Sequence, residues 1–282
     1  MRLRKQSYLT LGPHGFHRVV YTEWGDPDNE RLVVCAHGLT RNGRDFDHLA
    51  AGLEGDRRVV CPDVVGRGES DWLSVKEDYA YPTYCADMAA LLARLGADAV
   101  DWVGTSMGGL IGMMLAAQPG TPIRRLVVND VGPFVPKAAL ERIVSYVGAD
   151  PRFDTLPELE AYLRRIHAPF GPLGDEHWAH LARCSARELA DGGYGLAYDP
   201  GIAAPLESAE LQDMDLWGVW DAVRCPVLVL RGRDSDLLLS ETAAEMCRRG
   251  PATDLVEWEG VGHAPMLMDR AQIETVRRWL LG

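Results

Sequence analysis

A buried strand runs straight into a helix at Gly104-Thr105-Ser106-Met107-Gly108, and few architectures allow that junction. The preceding run, Ala99-Val100-Asp101-Trp102-Val103, has the length and β-branching of a buried strand. The following run, Met107 to Gln118, is apolar, helix-forming and closed by Pro119-Gly120. So short a connection needs a tight turn, and glycines two residues before and after the serine relieve crowding between strand and helix. The turn lifts the Ser106 hydroxyl above the carboxyl edge of a sheet, where open α/β sheets bind ligands.

The same strand-then-helix grammar recurs along the chain. Arg18–Trp24, Leu32–Ala36, Arg58–Cys61, Leu126–Val128, Pro226–Leu230 and Leu255–Trp258 are short apolar runs, several of them stopping at a turn signal. Between them lie helical patterns, such as Tyr81–Leu95 with apolar residues at 85, 88, 91, 92 and 95. Strands alternating with helices of this length predict a mostly parallel, doubly wound sheet covered on both faces. From Pro133 to about Trp220 no strand-like run appears, while Glu158–Ile166 and Glu176–Leu189 read as helices. The expectation is one α/β core (residues 1–132 and 219–282) interrupted by a helical insertion (133–218) after the strand ending near Asp130.

Charge narrows the partners. Against 29 Lys and Arg stand 41 Asp and Glu, a net charge of −12, which argues against nucleic acid or an anionic membrane surface. No run of about 18 apolar residues predicts a membrane helix. The basic start, Met1 to Gln6, is not followed by an apolar stretch before Gly12-Pro13-His14, so no signal peptide is expected. Six scattered cysteines without a C-x-x-C pair read as reduced thiols of a cytoplasmic protein. His177 and His180 are a close pair, but the sequence supplies no Cys or carboxylate cluster to complete a zinc site, so no metal and no cofactor is expected.

Ser106 alone is a weak nucleophile and requires a base held by a carboxylate. Of eight histidines, His263 lies in Gly260-Val261-Gly262-His263-Ala264-Pro265 just after the last strand, where a glycine-flanked loop can return the imidazole to the sheet edge. For the acid, Asp234 and Asp236 compete in the loop after the 226–230 strand, and Asp130 ends the preceding core strand. An oxyanion needs two backbone N–H donors aimed at one point. Met107, directly after the serine, supplies one, and Leu39 in His37-Gly38-Leu39-Thr40 supplies the other. The glycine-rich stretch from Asp63 to Ser70 lacks the phosphate-loop and dinucleotide fingerprints and reads as a structural loop near the site.

Over nearly its whole length the chain resembles the α/β-hydrolase superfamily, through H-G-x, D-x-x-G-x-G-x-S, G-x-S-M-G-G and G-x-G-H and the order nucleophile, acid, base. The resemblance implies Ser106 as nucleophile, His263 as base and then acid, and Leu39 and Met107 as oxyanion donors. It places the acid three residues after the strand-end glycine, which here is Ser235, or one residue later in a variant form, which selects Asp236 with Asp234 in reserve. The insertion corresponds to a helical cap over the site, whose apolar, aromatic content suggests a substrate with an apolar moiety and in which Trp178 and Trp217 are candidates to face it. The implied activity is cleavage of a small-molecule carboxylic ester without cofactor or metal, and a homo-oligomer is compatible with it. Cleavage of a carbon–carbon bond in a vinylogous dioxo acid is the alternative, with Arg41, Arg164 and Arg165 as carboxylate partners, although Ala264 stands where that branch usually carries Trp. A lactonase on the same triad is a further alternative. A ligand receptor that keeps the fold is a third class.

Overall fold

The computed structural model describes residues 3–208 and 210–282, so Met1 and Arg2 of the basic start lie outside the described residues. Eight strands form one sheet: β1 (Arg4–Gly12), β2 (Gly15–Trp24), β3 (Leu32–Ala36), β4 (Arg58–Pro62), β5 (Val100–Thr105), β6 (Ile123–Asn129), β7 (Val227–Gly232) and β8 (Thr253–Trp258). Their spatial order is β1-β2-β4-β3-β5-β6-β7-β8. β2 is antiparallel to both β1 and β4, and the others are parallel. This is the α/β-hydrolase fold. Strand β1 carries little sequence signal: it is an edge strand whose Leu9 and Leu11 are exposed, so it lacks the apolar run that marks the buried strands.

Each central strand splits its side chains between two cores. In β3, Leu32, Val34 and Ala36 face one core, and Val33 and Cys35 face the other. The first core takes helices α2 (Tyr81–Leu95) and α3 (Met107–Ala116), and the second takes α1 (Asp47–Leu53). Helix α2 stops where Gly96 adopts a φ of 64°, the left-handed cap that glycine takes without strain.

Between β6 and β7 the chain leaves the sheet. It forms α4 (Lys137–Val144), α5 (Leu156–Ile166), α6 (Asp175–Ser185) and the short α7 (Ala204–Glu207). The Thr155 hydroxyl caps α5 by accepting from the Glu158 N–H. The expectation of no strand here needs correction. Phe134–Val135 pairs with Met214–Asp215, and Ala186–Glu188 pairs with Tyr194–Leu196. Helix α6 therefore ends at Ser185 rather than Leu189. These ladders of two or three residues are too short to produce an alternating pattern. The chain returns through α8 (Trp217–Ala222), α9 (Ser240–Met246) and α10 (Arg270–Leu281). Among the described residues no helix is long and apolar enough to cross a membrane.

Candidate active site

Ser106 stands at the N-terminus of α3 with φ 52° and ψ −117°, a backbone conformation that side chains rarely adopt. The turn is held because its neighbours leave no other path. A methyl group on Gly108 would lie 2.0 Å from the Ala36 carbonyl oxygen, and one on Gly104 would lie 2.2 Å from that of Gly108. The Ser106 N–H donates to the Asn129 carbonyl at 2.9 Å, which ties the turn to β6.

The imidazole of His263 comes back over the sheet edge as the glycine-flanked loop suggested. Its Nε2 lies 3.0 Å from Ser106 Oγ, and its Nδ1 lies 2.8 Å from Asp130 Oδ2. A carboxylate only accepts, so Nδ1 carries the proton and Nε2 is left to accept from the hydroxyl. Asp130 is fully buried and also accepts from the Gly232 N–H at 2.9 Å and the Ser235 hydroxyl at 2.6 Å.

The selection of Asp236 is thus corrected. Asp236 is exposed and forms a fork with the Arg142 guanidinium of α4. Asp234 is exposed as well. The position three residues past Gly232 is occupied by Ser235, whose hydroxyl serves the carboxylate supplied by the neighbouring strand. Asp130 has a φ of 55°, which an Asp tolerates better than most side chains. The signal for it was available in the sequence as the Asp closing the strand after the serine turn.

The opposite wall is braced by residues the sequence left without a role. His37 is fully buried; its Nε2 accepts from the Val64 N–H at 2.9 Å and its Nδ1–H donates to the Gly38 carbonyl at 2.7 Å. The His37 carbonyl accepts from the Gly108 N–H at 3.1 Å, joining the Leu39 loop to α3. Burial pushes the His37 imidazole down to about 3. Arg67, fully buried within the glycine-rich loop, donates to the Leu39 carbonyl at 2.8 Å and stacks near Tyr79 and Tyr84. Asp63 accepts from the N–H groups of Gly43 and Glu69, and burial pushes its carboxyl up to about 6. The structural reading of that loop agrees with these contacts.

The neutrality of His37 has a measurable cost in acid. The unfolded chain protonates His37 below about 6.5, while the folded chain resists until about 3, so falling pH in that window favours unfolding. Asp63 acts in the opposite sense between about 3.8 and 6, so the comparison must be between variants. His37→Asn is expected to be less stable than the wild type at pH 7 and to lose less stability from pH 6.5 to 4. Urea midpoints across that range check it; parallel slopes would contradict the assignment.

A cleft of about 730 Å³, mouth included, opens over Ser106 and His263. Its walls include Leu39, Arg41, Arg142, Tyr146, His167 and Phe170. Arg41 is buried, with Nε and Nη2 on Asp45 at 2.9 and 2.6 Å and Nη1 on Ser185 at 2.8 Å. Arg164 is instead committed to Glu160 and Asp175, and Arg165 lies over Tyr162. Trp178 is buried against Phe170 and Trp217 packs under Arg249; neither lines the cleft. The sequence shows no Cys or carboxylate cluster beside the His177–His180 pair, but folding brings Asp47 and Cys184 next to His180, outside the cleft.

Residues 33–277 match the profile of the alpha/beta hydrolase family. The chain belongs to that family. The hydrolase is 49% identical over 280 residues to the 3-hydroxybutyrate-oligomer hydrolase of Cupriavidus necator, covering 96% of each chain. It is 26% identical to the 2-(acetamidomethylene)succinate hydrolase of Mesorhizobium japonicum over 82% of this chain and 81% of the relative. A crystal structure of an alpha/beta hydrolase from Novosphingobium aromaticivorans superposes with a TM-score of 0.87 at 37% identity, covering 98% of each chain.

Proposed function

We propose that this hydrolase cleaves carboxylic esters through an acyl-enzyme on Ser106. The observation that carries the reading is the continuous relay from Ser106 Oγ through His263, both lining the cleft, to the Asp130 carboxylate buried behind them. In this mechanism Oγ attacks the ester carbonyl while His263 Nε2 takes its proton. Asp130 holds the tautomer and stabilises the imidazolium that forms. The N–H groups of Leu39 and Met107 receive the oxyanion. His263 then protonates the leaving alcohol, and water attacks the acyl-enzyme by the same route in reverse. The chain needs no metal or organic cofactor for these steps. The segment 133–218 acts as a cap that narrows the cleft and excludes water.

We further read the substrate as a short oligoester of a hydroxy acid. The near full-length identity to the Cupriavidus necator enzyme supports this class. So does Arg41, a buried guanidinium in the cleft wall: beyond the N–H groups given to Asp45 and Ser185 it keeps one on Nη1 and one on Nη2, a pair suited to the free carboxylate ending such an oligomer. The linear 3-hydroxybutyrate dimer as free acid is expected to exceed its methyl ester in kcat/KM by roughly tenfold or more, as a charge-assisted hydrogen bond requires. Arg41→Lys keeps the charge, loses the fork and should narrow that ratio. Equal rates for acid and methyl ester would remove the Arg41 role. Absence of turnover on the dimer, the trimer and p-nitrophenyl esters from C2 to C12 would overturn the ester reading, and turnover of a dioxo-acid ring-fission product in its place would favour carbon–carbon cleavage.

A further inference from the structure

Away from the cleft, helix α6 carries His177, His180 and Cys184 at the spacing i, i+3, i+7, which puts all three on one face. That face meets Asp47 and His48 at the start of α1. His180 Nε2 lies 3.7 Å from Asp47 Oδ2 and 3.7 Å from Cys184 Sγ, and one ligand atom from each of the three lies within 4.8 Å of the others. Two ligands of one tetrahedral zinc ion stand roughly 3.4–3.6 Å apart, given metal–ligand bonds of about 2.0–2.3 Å. The two contacts of His180 are therefore close to coordinating distance with side chains as they stand, and the Asp47–Cys184 pair has to close in. The rings of His177 and His180 lie 5.1 and 5.3 Å from that of His48, and His177 Nδ1 is shut off from solvent with no hydrogen-bond partner among the described residues.

We propose that Asp47, His180 and Cys184 form a binding site for a divalent transition metal, zinc above all. The fourth position falls to one of the flanking histidines, His48 or His177, or to water. Imidazole and thiolate donors select this class of ion over magnesium or calcium. Coordination replaces the contact of His180 Nε2 with the Arg44 carbonyl at 2.9 Å, and the Cys184 thiol gives its proton to the buffer. The Arg44 guanidinium already partners Asp47 and competes with the ion, which sets the expected dissociation constant in the micromolar range rather than below it. Asp47 belongs to a sheet helix and His180 and Cys184 to the inserted segment, so a bound ion joins the two. The site owes nothing to the ester chemistry, and its test reads metal rather than turnover.

Tag-free protein is titrated with zinc chloride by calorimetry, beside His180→Gln and Cys184→Ser. One ion per chain is expected, with affinity reduced at least about tenfold in each variant. No binding at 100-fold the protein concentration, or binding that neither substitution weakens, overturns the proposal. Should a variant fail to fold, the wild type alone decides. Zinc must then protect Cys184, among the six cysteines, from iodoacetamide in peptide mass spectra. Unchanged alkylation of Cys184 with zinc present would be the negative result.

Discussion

Ser106→Ala is expected to lower kcat for ester hydrolysis by about 10⁴-fold or more while leaving the fold and the cleft intact. The methyl of alanine occupies the same strained turn, with no new clash at a position whose backbone is fixed by Gly104, Gly108 and the bond to Asn129. What disappears is the oxygen that the proposed mechanism places on the acyl carbon. Steady-state rates on the 3-hydroxybutyrate dimer and on a p-nitrophenyl ester, with thermal melts alongside, check it. Residual turnover within tenfold of the wild type would exclude an acyl-enzyme on Ser106.

The second large effect separates two aspartates. Asp130→Asn keeps the shape but removes the charge that fixes the His263 tautomer, and activity is expected to fall roughly 10⁴-fold, by the logic of the serine triad. Asp236→Asn loosens an exposed ion pair with Arg142, and such pairs contribute about 0–1 kcal/mol, so activity should stay within a few-fold of the wild type. Kinetics on both variants under identical conditions decide the matter. The opposite ranking would return the acid to the β7 loop.

The sequence carried the sheet and the turn because both are local. Val33, Val34, Val59 and Val60 sit in runs that only a buried strand explains, and Gly104 and Gly108 bracket a serine where strand meets helix. His263 was legible for the same reason, through glycines beside it. The carboxylate partner of His263 was present among the sequence candidates, but the sequence did not rank it first. Asp130, Asp234 and Asp236 are all polar residues in loops after strands, and only the third dimension shows that one is buried beneath the imidazole while the others face solvent. Arg67 and His37 are likewise long-range braces, and their partners lie 28 and 27 residues away. The meeting of Asp47 with His180 and Cys184 joins segments far apart in the chain, which no spacing rule could anticipate.

The seam between Ala36, Gly104 and Gly108 bears on how this enzyme can diversify. With a carbonyl oxygen 2.0 Å from where any side chain at 108 would begin, these positions behave as a single unit of inheritance: one cannot change without its partners. Variation is thereby channelled to the far wall of the cleft, where Tyr146, Ile166, His167 and Phe170 arise from the excursion between β6 and β7. A lineage, or a laboratory library, can rewrite that wall residue by residue and acquire new substrates while the serine turn stays frozen.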